Sequence, residues 1–128
     1  MSWTDISLAE WYALEIEKIR DSARQDVTSL YYHYSYDSTF TLPSEFTDTD
    51  VRFLYITVIP VTGPDPERVK GNFSSDLVES WVYCYRGYDD ILVTVLDTSK
   101  RKPDYRPSEP TKRSPADIVQ AVYETYKR

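Results

Sequence analysis

The sequence predicts an α+β domain with one antiparallel, meander-like sheet of about four to five strands and a helix from each end of the chain packed on one face. Three observations predict it. Apolar residues recur at helical spacing near both termini, and between them they alternate with a period of two. No helical segment separates the expected strands, as parallel crossovers would require. The length of 128 residues suits a single domain that spans residues 1–128.

The first expected element is an N-terminal helix over residues 7–24. Ser7 and Glu10 have the spacing of a capping box. From Leu8 to Ala23, apolar residues follow the spacing of one buried helix face. We therefore expect this helix to cover the sheet with that face.

The expected strands begin where the apolar period changes to two. Residues 27–36 alternate tyrosines with smaller or polar side chains. Residues 51–59 are apolar on both faces, which predicts a central strand that Pro60 ends. Residues 77–86 and 91–96 are expected to pair as a hairpin around a glycine-containing turn.

The C-terminal third is expected to contain a loop followed by the second helix. Residues 97–113 form a proline-rich basic segment without an apolar run, which predicts a loop. Ser114 and Pro115 then give the usual order of helix cap and first-turn proline. Apolar residues from Ile118 to Tyr126 predict one buried stripe on this helix.

Motifs for catalysis are missing from the sequence. The chain holds one histidine, His33, and one cysteine, Cys84, so histidine-rich or paired-cysteine zinc sites cannot form within it. Three glycines leave little capacity for a phosphate-binding loop. We expect no catalytic residues, no metal and no cofactor. One alternative stays open, an enzyme of unfamiliar type that uses loop carboxylates.

Composition bears on location and source. The longest apolar runs are far shorter than the roughly 18 residues of a membrane span, and the N-terminus lacks the basic and apolar regions of a secretion signal. A single cysteine fits a reducing compartment, so we expect a cytoplasmic protein, in the host cell if it is viral. Asn, Gln, Cys and Met are scarce, as in thermophilic proteins. From this composition we expect a viral or accessory protein from a hot habitat. The alternative is that the composition of so short a chain is biased by chance.

Charge is unevenly distributed along the chain. Residues 97–128 hold eight basic against five acidic side chains, a balance of +3, which leaves −9 on residues 1–96 of a chain whose net charge is −6. The basic segment and its tyrosine could bind single-stranded nucleic acid through phosphate contacts and base stacking. The residues of this alternative are Lys100, Arg101, Lys102, Tyr105, Arg106, Lys112 and Arg113.

Tyrosines are the second unusual feature, with twelve in the chain. Tyrosine is enriched at protein interfaces because it adds contact area while few torsions become fixed. The leading hypothesis is a small non-catalytic interaction protein that binds a protein partner, or itself as a homodimer, through a tyrosine-rich sheet face and an acidic surface. The expected interface residues are Tyr32, Tyr34, Tyr36, Tyr83, Tyr85 and Tyr88.

Overall fold

The computed structural model describes residues 1–21, 26–46, 51–69, 71–82, 91–95 and 114–127. They form an antiparallel sheet with helices, which confirms the α+β class. No helix in these ranges is long and apolar enough to cross a membrane. The elements are the strands β1 (Trp11–Asp21), β2 (Asp26–Ser35), β3 (Val51–Val61) and the shorter β4 (Ile91–Val95), the helices α1 (Ser75–Glu79) and α2 (Pro115–Thr125), and a 3-10 turn (Ser44–Phe46).

The expected N-terminal helix is wrong, because most of its residues form β1. Trp11 and Ala13 are buried on one side of this strand, while Tyr12, Leu14 and Ile16 are buried on the other. A strand with two buried faces is apolar at nearly every position, so its residues also satisfy helical spacing. Aromatic and β-branched side chains then favour the strand.

The strand order β2-β1-β3-β4 differs from the expected meander. All neighbours are antiparallel, but β3 returns to the far side of β1 and does not pair with β2. Burial explains the order. Side chains of β1 and β3 are buried on both faces and need central positions, whereas those of β2 from Ser29 to Ser35 are half-buried or exposed and suit an edge.

The predicted central strand at residues 51–59 is confirmed as β3, but Pro60 does not end it. Pro60 pairs with Tyr12 of β1, and the strand runs on to Val61. On its other side, β3 pairs with β4 only as far as Val58. Pro60 therefore stands beyond that ladder, where a proline without an N–H is tolerated.

The strand expected over residues 77–86 is wrong in its first half. Residues 75–79 form α1, which is capped by the Ser74 side chain accepting from the Leu77 backbone N–H at 3.3 Å. Val82 makes an isolated bridge to Val61, and residues 83–90 of the expected hairpin lie outside the described ranges. The expected strand at 91–96 corresponds to β4.

The helix α2 is confirmed, and it covers one face of the sheet. The Ser114 side chain caps it by accepting from the Asp117 backbone N–H at 3.2 Å. Its buried stripe contacts the Trp11 side of β1, the end of β3 and residues of α1. This first core contains Trp11, Ala13, Ile59, Val61, Phe73, Val78, Val82, Ala116, Ile118, Val119, Val122 and Tyr123.

The opposite face is covered as well, whereas the sequence led us to expect covering elements on one face only. Residues of the N-terminal segment 1–9 and the segment 40–46 pack over it, with Phe46 fully buried. Lys18 is also buried in this layer, at 1% exposure, and its ammonium donates to the Glu45 carbonyl. The core residues of this second layer are Tyr12, Leu14, Ile16, Phe46, Leu54, Ile56 and Val58.

Gly63 is a point of close approach between the loop after β3 and α2. A Cβ at this position would lie 2.8 Å from the Tyr123 hydroxyl and 3.0 Å from the Trp81 Cβ.

We expect Gly63→Ala to lower the free energy of unfolding by about 1–3 kcal/mol, because the packed core must shift. Urea denaturation measures the loss. The same substitution should cost less in a Tyr123→Phe background, which lacks the nearest atom; equal losses in both backgrounds would contradict the steric cause.

Candidate protein-interaction surface

Among the described strands, β2 lies at the edge of the sheet and pairs with β1 alone. In an antiparallel edge strand, every second residue directs its N–H and C=O away from the sheet. The pairing of β2 with β1 runs over ten residue pairs without a bulge. Residues 28–35 contain no proline and no Asp, Glu, Lys or Arg. This stretch therefore lacks the bulges, prolines and charged side chains that usually prevent an edge strand from pairing with another chain.

Apolar and aromatic side chains flank this edge. Leu30 is 43% exposed and Tyr36, just after the strand, is 50% exposed. A groove of about 250 Å³ contains four consecutive β2 residues in its lining, with one residue from each covering layer. Consecutive strand residues point to opposite faces, so the groove follows the edge itself. The lining residues are Leu30, Tyr31, Tyr32, His33, Glu45 and Thr125.

Three tyrosines form a cluster at the C-terminal end of β2. The rings of Tyr34 and Tyr36 have centroids 5.2 Å apart, and Tyr126, the residue after α2, lies 4.8 Å from Tyr34. Both pairs are edge-to-face, a favourable arrangement for aromatic rings. Trp11 packs behind Tyr34 at 6.3 Å. We call Tyr34, Tyr36 and Tyr126 the phenol cluster.

Two carboxylates lie beside the phenol cluster. Glu67 interacts with Tyr34, and Asp65 interacts with Tyr36. Asp65 and Glu67 are fixed in a turn, where the Glu67 backbone N–H donates to the Asp65 side chain at 3.0 Å. The pKa of both phenols is raised, first by burial and then by these acidic neighbours. At neutral pH the phenols therefore stay neutral.

The nearby cation Arg68 compensates little of this negative charge. Its Nε lies 3.8 Å from the Asp65 carboxylate, and its side chain is 88% exposed. An ion pair in this setting contributes about 0–1 kcal/mol and is screened by salt. The end of β2 thus presents aromatic rings together with negative potential.

His33 lies in the same strand, on the face of the second core. Its ring packs against Phe40 and Phe46, at centroid distances of 5.6 and 5.8 Å. Its Nδ1 is 3.2 Å from the Tyr126 hydroxyl, and its buried Nε2 has no hydrogen-bond partner. Burial lowers the pKa of His33, which the negative charge of Glu45 only partly opposes. The ring is therefore a largely neutral, packed part of the strand at neutral pH.

The structure places only part of the sequence-predicted interface. It brings Tyr34 and Tyr36 together, and Tyr32 packs beside them against the first core. Asp65 and Glu67 are the loop carboxylates it brings close to the tyrosines. In the described part of the chain, no three His, Cys, Asp or Glu side chains could hold a metal.

Other predicted site residues lie outside the described ranges. They are Tyr83, Tyr85 and Tyr88 of the interface and the nucleic-acid candidates Lys100, Arg101, Lys102, Tyr105, Arg106, Lys112 and Arg113. Four acidic residues that the open enzyme alternative could use, Asp48, Asp50, Asp89 and Asp90, lie outside these ranges as well.

Sequence reasoning missed Tyr126 and the pairing of carboxylates with phenols. The sequence places Tyr126 only in the buried stripe of the C-terminal helix, because nothing in it indicates that this residue contacts β2. The turn at Asp65 was recognisable from Pro64 and Pro66, but its distance from Tyr34 depends on the strand order.

Protonation of His33 should destabilise the fold. Its folded-state pKa lies below the ordinary 6.5, so the unfolded chain binds the proton more readily, and stability falls as pH drops through 6.5. We expect this loss in the native chain and not in His33→Phe, measured by urea denaturation between about pH 7.5 and 5.5. Glu17, with a pKa raised by burial and by Glu15, titrates with the opposite sign in both proteins and cancels in the difference. Parallel stability curves would contradict the assignment.

Comparison of the chain with models of protein families, with curated proteins and with solved structures found no match.

Proposed function

We propose that this chain is a non-catalytic binding module that accepts an extended segment of a partner protein along β2, as an added strand. The observation that carries the proposal is the regular, uncharged and partly exposed edge of β2. Proteins with such an edge bind extended peptides through main-chain hydrogen bonds, and side-chain pockets give specificity. The groove along Leu30 to His33 would receive side chains of the bound segment.

The sheet faces are less suitable for binding than this edge. Helices α1 and α2 cover one face of the sheet, and residues 1–9 with 40–46 pack over the other. The tyrosines of β2 remain accessible because the strand is at the edge and its side chains are only partly covered. The tyrosine-rich interface expected from the sequence is thus proposed at an edge and not on a free face.

Main-chain pairing alone would bind weakly. A strand of about six residues adds roughly six backbone hydrogen bonds, each with a net contribution of about 0.5–1.5 kcal/mol. Association itself costs about 4–15 kcal/mol. Side-chain contacts must therefore supply much of the affinity. Leu30 and Tyr36 are the exposed groups in position to supply it.

Charge favours a different protein over a second copy as the partner. If two copies of β2 paired antiparallel about the centre of residues 28–35, Asp26 of one would face Asp37 of the other. Like charges directly opposite each other destabilise such pairs. Residues 1–96 also carry a balance of −9. A basic partner is attracted by that field, whereas a second copy is repelled.

Proline substitutions at Ser29 and Leu30 test the edge. One of these neighbouring N–H groups faces β1 and the other faces away, so one variant loses a ladder hydrogen bond while the other keeps the fold. Denaturation identifies the tolerated variant. Dodecapeptides that bind the full chain can be selected from a random displayed library. We expect the selected peptides to protect β2 amides from hydrogen exchange. The tolerated variant should no longer bind these peptides. Equal binding by that variant would overturn the proposal.

A matched pair of leucines provides the side-chain control. Leu30 beside β2 and Leu77 on α1 have similar exposures, 43% and 46%. We expect Leu30→Ser to weaken peptide binding roughly tenfold, because one buried aliphatic contact is worth about 1.5–3 kcal/mol, and Leu77→Ser to leave it unchanged. Light scattering of the native chain completes the test. If the native chain is a dimer and the tolerated proline variant is a monomer, the partner at β2 is a second copy of this chain and not a different protein.

A further inference from the structure

The end of β2 combines the exposed Tyr36 ring with the nearby acidic side chains of Asp65 and Glu67. We propose that Tyr34, Tyr36, Asp65 and Glu67 form a subsite for an arginine side chain of the bound segment. This inference rests on the proposed function, since the arginine would be carried by the strand added to β2. Within the described residues, these four side chains come from two segments, the end of β2 and the turn after β3.

The aromatic part of the subsite is accessible to a cation. The Tyr36 side chain is half exposed, and Tyr34 braces its ring at 5.2 Å in an edge-to-face arrangement. A cation over the face of an aromatic ring is attracted by the negative potential of that face. Tyr126 and Trp11 hold Tyr34 from behind, so the ring pair is supported by the core.

The carboxylates keep hydrogen-bonding capacity for a ligand. A carboxylate offers about four acceptor positions. For Asp65, one is used by the Glu67 backbone N–H at 3.0 Å. An anionic or phosphorylated segment would be repelled here, whereas a cationic one is attracted.

On the second face of β2, the chain itself supplies a cation to the aromatic rings. There, the Lys18 ammonium lies 5.6 Å from the Phe46 ring centroid and 6.0 Å from that of Tyr31. On the phenol-cluster side, Arg68 extends into solvent at 88% exposure. A cation brought by the partner would complete this side in the same way.

Arginine fits the subsite better than lysine does. A guanidinium is planar, so it can stack on the Tyr36 ring while its edge donates to a carboxylate. Paired N–H donors match the two oxygens of Asp65 or Glu67, whereas an ammonium interacts as a point charge. We therefore expect binding to fall in the order arginine, lysine, neutral analogue.

The test compares peptides from the selection above, synthesised with arginine, lysine or citrulline at the arginine position. Citrulline keeps the shape of arginine and lacks its charge. We expect roughly tenfold weaker binding with citrulline, since a cation–π contact and charge-assisted hydrogen bonds together contribute on this order. Binding to the native chain should also weaken as salt is raised.

Two chain variants locate the effect. Asp65→Asn/Glu67→Gln keeps acceptors for the phenols and removes the charges, and Tyr36→Leu removes the aromatic face. Both should reduce the preference for arginine over citrulline to less than about twofold, because the charge and ring contacts are gone. The control Asp76→Asn/Glu79→Gln makes the same change in net charge on α1 and should keep the preference. Denaturation checks that each variant folds.

The possible failures are distinguishable. If the selected peptides contain no essential arginine, or if the preference persists in both subsite variants, the arginine subsite is wrong, while loss of binding in the tolerated proline variant still supports the β2 edge. If the proline variant binds as well as the native chain does, the edge proposal fails, and the subsite proposal fails with it.

Discussion

The burial of β1 on both of its faces is the constraint on which the rest of the structure depends. Trp11 and Tyr12 are neighbours in the chain, yet they lie in opposite cores. Each needs a partner for its polar atom. The Trp11 indole donates to the Gly63 carbonyl at 3.1 Å, and the Tyr12 hydroxyl donates to Asp5 at 2.7 Å. Two consecutive side chains therefore fix the loop after β3 on one side and the N-terminal segment on the other.

This two-sided burial also determines where binding can occur. Once β1 and β3 are central and both faces are covered, partly exposed side chains run along the edge strand β2 from Ser29 to Ser35. At β2 the aromatic side chains are half-buried, so they stabilise the sheet with one side and leave contact area on the other. The same tyrosines can then serve packing and recognition, because a phenol combines an apolar ring with a polar end.

The success of sequence reasoning depended on how many faces of an element are buried. For α2, one stripe is buried and both the cap and the proline mark its start, so its position was predictable. For β1, both faces are buried, so the apolar pattern fitted two periods and the choice of helix was wrong. The five residues of α1 are too few to show a period. Strand order could not be derived, because pairing depends on contacts distant in sequence. The approach of Glu67 to Tyr34 is such a contact, so the acidic half of the candidate site could not be predicted from the sequence.

The environment of β2 shows how the chain distributes charge around aromatic side chains. On the face of the second core, Lys18 reaches the Tyr31 and Phe46 rings from inside and is fixed by a backbone carbonyl, with 1% of its surface exposed. On the other face, Tyr34 and Tyr36 lie beside the half-buried acidic side chains of Asp65 and Glu67. A buried ammonium must be satisfied by the chain itself, because desolvation is costly without partners. A half-buried carboxylate keeps part of its surface open to a ligand. The asymmetry between these two faces is the physical reason to expect a cationic partner at one end of the edge.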